Sequence, residues 1–171
     1  MLPVDKDMAP PIISIVGRRN SGKTTVLEGL IAELTRRGLR VGVLKHSDHG
    51  FDMDREGKDT WRHRRAGARS VGIVSPREAA VIRSLDGELP LGEAVALLGA
   101  DLDVVLTEGF KQAPTMKVEV VRAETGCDIA TPPEQLLAVV SDCPVEASVA
   151  CLSFGDSAAL ADLIVSHTRR R

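Results

Sequence analysis

At 171 residues and 18.3 kDa the chain suits one domain with a single core, and 43% hydrophobic against 27% charged residues is an ordinary globular balance. A net charge of −2, with one Trp, three Phe and no Tyr, excludes general nucleic-acid binding, which needs a basic face and aromatic platforms. Cys127, Cys143 and Cys151 lack C-x-x-C spacing and read as small buried hydrophobes in a reducing compartment. No apolar signal run opens the chain and no segment approaches the roughly 20 apolar residues of a membrane span, so the expected location is the cytoplasm.

Residues 1–11, polar and ending in Pro10-Pro11, predict a flexible arm ahead of a single nucleotide-binding domain over 12–168 and a basic tail at 169–171. IISIV (12–16) is a buried strand. Leu27, Leu30, Ile31 and Leu34 then recur at helical spacing, with Gly38 placed as the cap, and RVGVL (40–44) restores strand character. This strand–helix–strand unit implies a mostly parallel sheet flanked by helices in three layers. A polar loop (46–58) and a helix (59–67) follow, then a hairpin from SVGIV and AAVIRS, a helix at 91–99 and a strand at 102–107. MKVEVVR (116–122) alternates, LLAVVS (136–141) and VACLSF (149–154) are apolar strands, and Asp156 is expected to cap a last helix buried through Leu160, Leu163 and Ile164. The alternating strand, with Val118 and Val120 on one side, and the hairpin at 79–83 read as edges that extend a sheet across a two-fold axis, predicting a homodimer.

GRRNSGKTTV, from Gly17 to Val26, fits the pattern G-x-x-x-x-G-K-[ST] between a strand and a helix. Glycines let the main chain wrap phosphate oxygens, so Gly17, Arg18, Arg19, Asn20, Ser21, Gly22, Lys23, Thr24 and Thr25 form the expected nucleotide-binding set, aided by the helix dipole. Lys23 is expected on the β- and γ-phosphates and Thr24 on Mg2+. A second acid must come from the neighbouring strand. Asp103 lies at its wrong end, whereas Glu108 follows the apolar run at the carboxyl edge, to act on the metal directly or through water.

KHSDHGFDMDREGKD crowds His46, Asp48, His49, Asp52 and Asp54 into nine residues. Three readings compete: a transition-metal site, a polar surface loop, or a switch loop that senses the γ-phosphate. On the switch reading Asp52 joins the magnesium shell and Asp48 acts with Lys23 on the attacking water. Arg62, His63, Arg64 and Arg65 fan around helix 59–67 as a solvated basic face, of which one or two, with Arg69, suit a phosphorylated ligand or an acidic partner. Trp61 reads as a packing anchor. Asp142, ending AVVSD, either accepts the paired N–H donors of guanine, which adenine lacks, or starts a turn before Pro144. SFGDS (153–157) either closes over the base or caps a helix.

Together, NSGKTT, KHSDHGFDMDREGKDTWRHRRAGA and VVLTEGFKQAPTMKVEVVR make the chain resemble the molybdopterin-guanine dinucleotide biosynthesis protein B (MobB) family, from about Ile12 to the last strand. The resemblance implies a P-loop NTPase-like fold and a usually homodimeric GTP-binding protein; slow hydrolysis is expected because no arginine is obviously placed to offset transition-state charge, with Arg18 and Arg19 as the candidates. The resemblance also implies Mg2+ as cofactor, with molybdopterin and a molybdenum cofactor guanylyltransferase (MobA-like) as partners in attaching GMP. Two other trades of such a loop stay open beside it: a small-molecule kinase with 46–69 as lid, and a metal-delivery GTPase using His46, Asp48 and His49.

Overall fold

The structure, a computed structural model, describes residues 9–169; most of the expected arm and Arg170-Arg171 of the tail lie outside the described residues. The chain divides into two compact units, one running up to His46 and resuming at Leu91, the other spanning residues 47–90.

In the first unit, six strands form one parallel sheet: β1 (Ile12–Gly17), β2 (Val41–Lys45), β5 (Val104–Glu108), β6 (Met116–Val121), β7 (Leu136–Ser141) and β8 (Ala150–Leu152), in the order β2-β5-β1-β6-β7-β8. β1 sits in the middle, and its apolar run reflects burial on both faces: Ile13 and Ile15 pair with Leu106 and Glu108 on one side and with Met116 and Val118 on the other. Helix α1 (Lys23–Arg36) lays Val26, Leu27, Leu30 and Leu34 on one face of the sheet. Beside it α4 (Ser157–Thr168) contributes Leu160, Ala161 and Ile164 to the same core. Gly38, at φ +82°, ends α1 and donates its N–H to the Thr35 carbonyl at 2.9 Å. The other face carries less helix. Val121, Leu136 and Val139 are covered there by Ile129, Cys143, Val145, Ala147 and Val149 from irregular segments. Leu98, just past α3 (Leu91–Ala96), closes on Gly42.

Four expectations change. MKVEVVR is not an edge: β6 lies between β1 and β7, with Lys117 and Glu119 fully enclosed. The alternation that suggested a half-solvated strand is instead two charges satisfied internally. Lys117 Nζ donates to the carbonyls of Ala113 (2.6 Å) and Thr115 (3.1 Å) and to Gln135 Oε1 (2.5 Å). The Glu119 carboxylate accepts the N–H groups of Ala130 (2.9 Å) and Thr131 (2.7 Å). Asp156 precedes α4 but does not cap it; its carboxylate accepts from Ser153 N (2.8 Å) and Oγ (2.6 Å), closing a turn of its own. The cysteines are not three buried thiols: Cys127 and Cys143 form a disulfide and Cys151 is exposed. Helices at 59–67 and 91–99 end earlier, at Arg65 and Ala96, where Gly67 and Gly99 take positive φ.

The second unit contains α2 (Asp59–Arg65) and an antiparallel hairpin of β3 (Ser70–Val74) and β4 (Ala79–Arg83). Val71 is buried, while Ile73, Val74 and Val81 stand exposed.

Candidate functional site: a phosphate-shaped loop at the strand-order switch

From β1 the chain crosses to β2, and from β5 it crosses back over β1 to β6, so the loop after β1 lies where the strand order reverses. Ligands of open α/β sheets bind at that point. The loop is built for close approach. Gly17 has φ +146°, and a Cβ on it would stand 2.3 Å from the Val120 carbonyl oxygen and 2.8 Å from Ser21 Oγ. Gly22 has φ +91°, with the Phe154 ring 2.8 Å from its would-be Cβ. Asn20, at φ +62°, is one of two non-glycine residues in the left-handed region among those described. These conformations bring the main chain tightly round ahead of α1, whose first turn adds its dipole.

Lys23 Nζ folds back onto its own loop, donating to the carbonyls of Arg18 (2.7 Å) and Gly17 (3.4 Å). Burial lowers its pKa from the ordinary 10.5, against the charge of Glu108, while Lys111 and Lys45 add to the lowering. An ammonium whose charge is disfavoured where it stands is readily drawn to an anion. Ser21 is fully buried, and its hydroxyl has no hydrogen-bond partner in the protein. An orphaned buried hydroxyl inside a tight glycine loop at a helix N-terminus fits a phosphate oxygen as its missing partner.

Glu108 ends β5 at the same edge. Its Oε2 accepts from Thr24 Oγ1 at 3.4 Å, and its Oε1 is 3.5 Å from Lys45 Nζ. The strand pairings that align Ile15 and Lys45 with Glu108 bring hydroxyl, carboxylate and ammonium together. Thr24 and Glu108 thus offer the two oxygens that a hard divalent cation would need beside bound phosphates. After Glu108 the chain turns through Gly109 (φ +95°) and Phe110 (φ +53°), and the Phe110 ring lies 4.9 Å from the His46 ring. Asp103 is at the opposite end of β5, where Arg40 donates to it through its main chain (2.7 Å) and guanidinium.

The remaining expected residues scatter. Arg18 turns away, donating to the Thr125 carbonyl and to Asp128 Oδ2 (3.1 Å); Arg19 and Thr25 are exposed. Asp142 follows β7, where its Oδ1 accepts the Ala123 N–H at 2.7 Å and its Oδ2 lies 3.5 Å from Arg122 Nε. The Arg122 guanidinium in turn covers the Phe154 ring at 4.7 Å. Asp48 and Asp52 belong to the second unit, Asp52 in the wall of a cleft there. Among the described residues no three His, Cys, Asp or Glu side chains converge as a metal-ligand set, so neither the transition-metal reading of the 46–54 cluster nor metal delivery through His46, Asp48 and His49 finds one. Sequence reasoning missed Lys45 and Arg122, while Phe154 belongs to the SFGDS segment already read as closing over the base or capping a helix. Lys45 could have been found as the residue closing β2 beside the strand that carries Glu108; Arg122 left no signal before folding.

A glycine loop with an inward lysine at the switch point of a parallel sheet defines a protein of the P-loop NTPase-like α/β class. Comparison with known proteins narrows this. Residues 12–142 match the family described as MobB, molybdopterin guanine dinucleotide synthesis protein B, and the chain belongs to that family. It is 37% identical over 155 residues to the molybdopterin-guanine dinucleotide biosynthesis adapter protein of Haemophilus influenzae, covering 90% of this chain and 87% of that one. To the Escherichia coli adapter protein of the same name it is 33% identical over 170 residues, covering 94% and 95%. Among solved structures it resembles Bacillus subtilis MobB with a TM-score of 0.73 at 30% identity, over 92% of this chain and 98% of that one.

Proposed function

We propose that this chain is an adapter in molybdopterin guanine dinucleotide biosynthesis that binds GTP with Mg2+ at residues 17–25 and hydrolyses it slowly. The observation that carries the reading is the convergence of Lys23, Thr24 and Glu108 at the mouth of a loop too tight for any side chain at Gly17. Slow turnover follows from Arg18 being held by Thr125 and Asp128, away from where transition-state charge would develop. The bond-making step then belongs to a partner, a MobA-like guanylyltransferase acting on molybdopterin, in the cytoplasm. The exposed Val74 and Val81, on one face of the hairpin, support a homodimer that covers them.

For the base, Asp142 is the proposed acceptor of guanine's two N–H donors, because its Oδ2 lies beside Arg122 Nε at 3.5 Å, a long contact that it can exchange. Calorimetry with GTP and ATP, each with Mg2+, tests both parts. Binding of GTP in preference to ATP is expected, with the preference reduced about tenfold or more in Asp142→Ala. Absence of heat with either nucleotide would remove the function; an unchanged preference would remove Asp142 alone.

A further inference from the structure

The loop at residues 17–25 leaves unexplained a second concavity, in the unit spanning residues 47–90. A cleft of about 320 Å3 lies between the 50s loop and α2, lined by Phe51, Asp52, Trp61, Arg64, Arg65 and Ser84. That volume is at the lower end of small-ligand sites, about 300–1,000 Å3. The chain has one Trp, three Phe and no Tyr, and two of those four aromatics border this one cleft. Neither is spent on a core: Phe51 is 73% exposed and Trp61 is half-buried.

The polar groups are sorted around them. The Arg65 guanidinium lies over the Trp61 ring, 5.6 Å from its centroid. Arg64 Nη1 is 3.6 Å from Asp54 Oδ2, while Asp54 Oδ1 accepts from Thr60 Oγ1 (2.8 Å) and the Arg55 N–H (3.0 Å). Asp54 therefore fixes Arg64 against the start of its own helix. Asp52 supplies a carboxylate to the same wall.

From this grouping we infer that the cleft binds a planar aminopyrimidinone heterocycle bearing a phosphate, the chemistry shared by a pterin monophosphate and a guanine nucleotide. Phe51 and Trp61 take the ring faces, because flat nitrogen heterocycles stack on aromatic side chains whatever their substituents. Asp52 accepts the adjacent ring N–H and exocyclic amino donors, a pairing that a carboxylate makes with two oxygens and an adenine cannot answer. Arg64 and Arg65 take the phosphate. Asp52 thereby reads a ring edge in place of a metal. The ring chemistry rests on the cleft; the choice of pterin as first probe rests on the proposed pathway.

The single tryptophan makes the test direct, since intrinsic emission reports this cleft alone. The whole chain, in wild-type form and as Lys23→Ala to disable the phosphate loop, is titrated with hydroxymethylpterin monophosphate, GMP and inorganic phosphate, with free tryptophan correcting for absorbed light. Saturable quenching by the pterin or by GMP, retained in Lys23→Ala, is expected, and the tighter of the two identifies the source. Phe51→Ala and Asp52→Ala are expected to weaken it about tenfold or more. The inference is overturned by any of four results: no saturable quenching, quenching lost in Lys23→Ala, equal quenching by inorganic phosphate, or indifference to both cleft variants. Quenching without any GTP heat at residues 17–25 would leave the cleft standing and remove the proposed nucleotide function instead.

Discussion

The Thr24 hydroxyl and the Glu108 carboxylate, 84 residues apart in sequence, meet at 3.4 Å where α1 begins and β5 ends. On the proposed function, that pair and Lys23 hold a triphosphate with its magnesium, and each part has a separable effect. Lys23→Ala is expected to weaken GTP binding about 10–100-fold, the loss of one charge-assisted contact. Thr24→Ala and Glu108→Gln should bind GTP in Mg2+ no better than wild type does in EDTA. Calorimetry with and without the metal distinguishes the two behaviours.

Gly17 and Gly38 both have positive φ, but only Gly17 is crowded. Its added Cβ would meet a main-chain oxygen at 2.3 Å, whereas nothing lies within 4 Å of the one at Gly38. Gly38→Ala should lower stability by about 1 kcal/mol, the ordinary left-handed penalty. Gly17→Ala should lower it by about 3 kcal/mol or more, since strain and clash add. Urea denaturation of the two variants gives the comparison, and equal losses would show that Gly17 is not under main-chain contact.

Glu33 joins α1 to Arg36 (2.8 and 2.7 Å) and Arg37 (2.7 Å), and Arg37 continues to Asp162 Oδ1 (2.6 Å) on α4. The Arg36 hydrogen bonds first, and then Arg37, hold the Glu33 carboxyl at about 2 instead of 4.5. A depressed carboxyl stabilises the fold fully above its unfolded value and loses that contribution as pH falls through its folded one. The advantage of wild type over Glu33→Gln should therefore be full at pH 7, shrink below pH 4.5 and vanish near pH 2. Urea midpoints across that range measure it; a constant difference would contradict the assignment.

Cys127 and Cys143 are bridged across a separation of 16 residues, while Cys151 is exposed. Unreduced native protein should show one thiol to a thiol reagent and three after denaturing reduction, since the chain has three cysteines. Cys143→Ser should lower stability by about 3 kcal/mol under oxidising conditions and much less in reductant, the loop-closure entropy of such a ring.

On the hairpin, Val74 and Val81 are 81% and 71% exposed on residues of the same sheet face. If a second copy covers them, Val81→Asp should shift the chain towards monomer at micromolar concentration without unfolding it, as read by light scattering and circular dichroism. Unchanged mass would place the interface elsewhere.

The glycine loop, the strand–helix–strand unit and the acid at the end of β5 were legible because each is written in adjacent residues, with a period or a spacing fixed by backbone geometry. The fate of MKVEVVR was not. A Lys and a Glu at alternate positions look the same in a solvated edge strand and in a central one, and only Ala113, Thr115, Gln135, Ala130 and Thr131 coming from outside the strand decide between them. Asp156 shows the same at short range, since a helix N-terminus and a serine turn compete for one carboxylate. Local residue order accounts for the strand, glycine loop and helix of the site and for the motifs of the family to which the chain belongs. Tertiary structure alone decided which charges are buried, which cysteines pair, and that Phe51, Asp52 and Trp61 share a cleft with two arginines. Contacts between distant segments depend on how the chain closes in space, and no local pattern carries that.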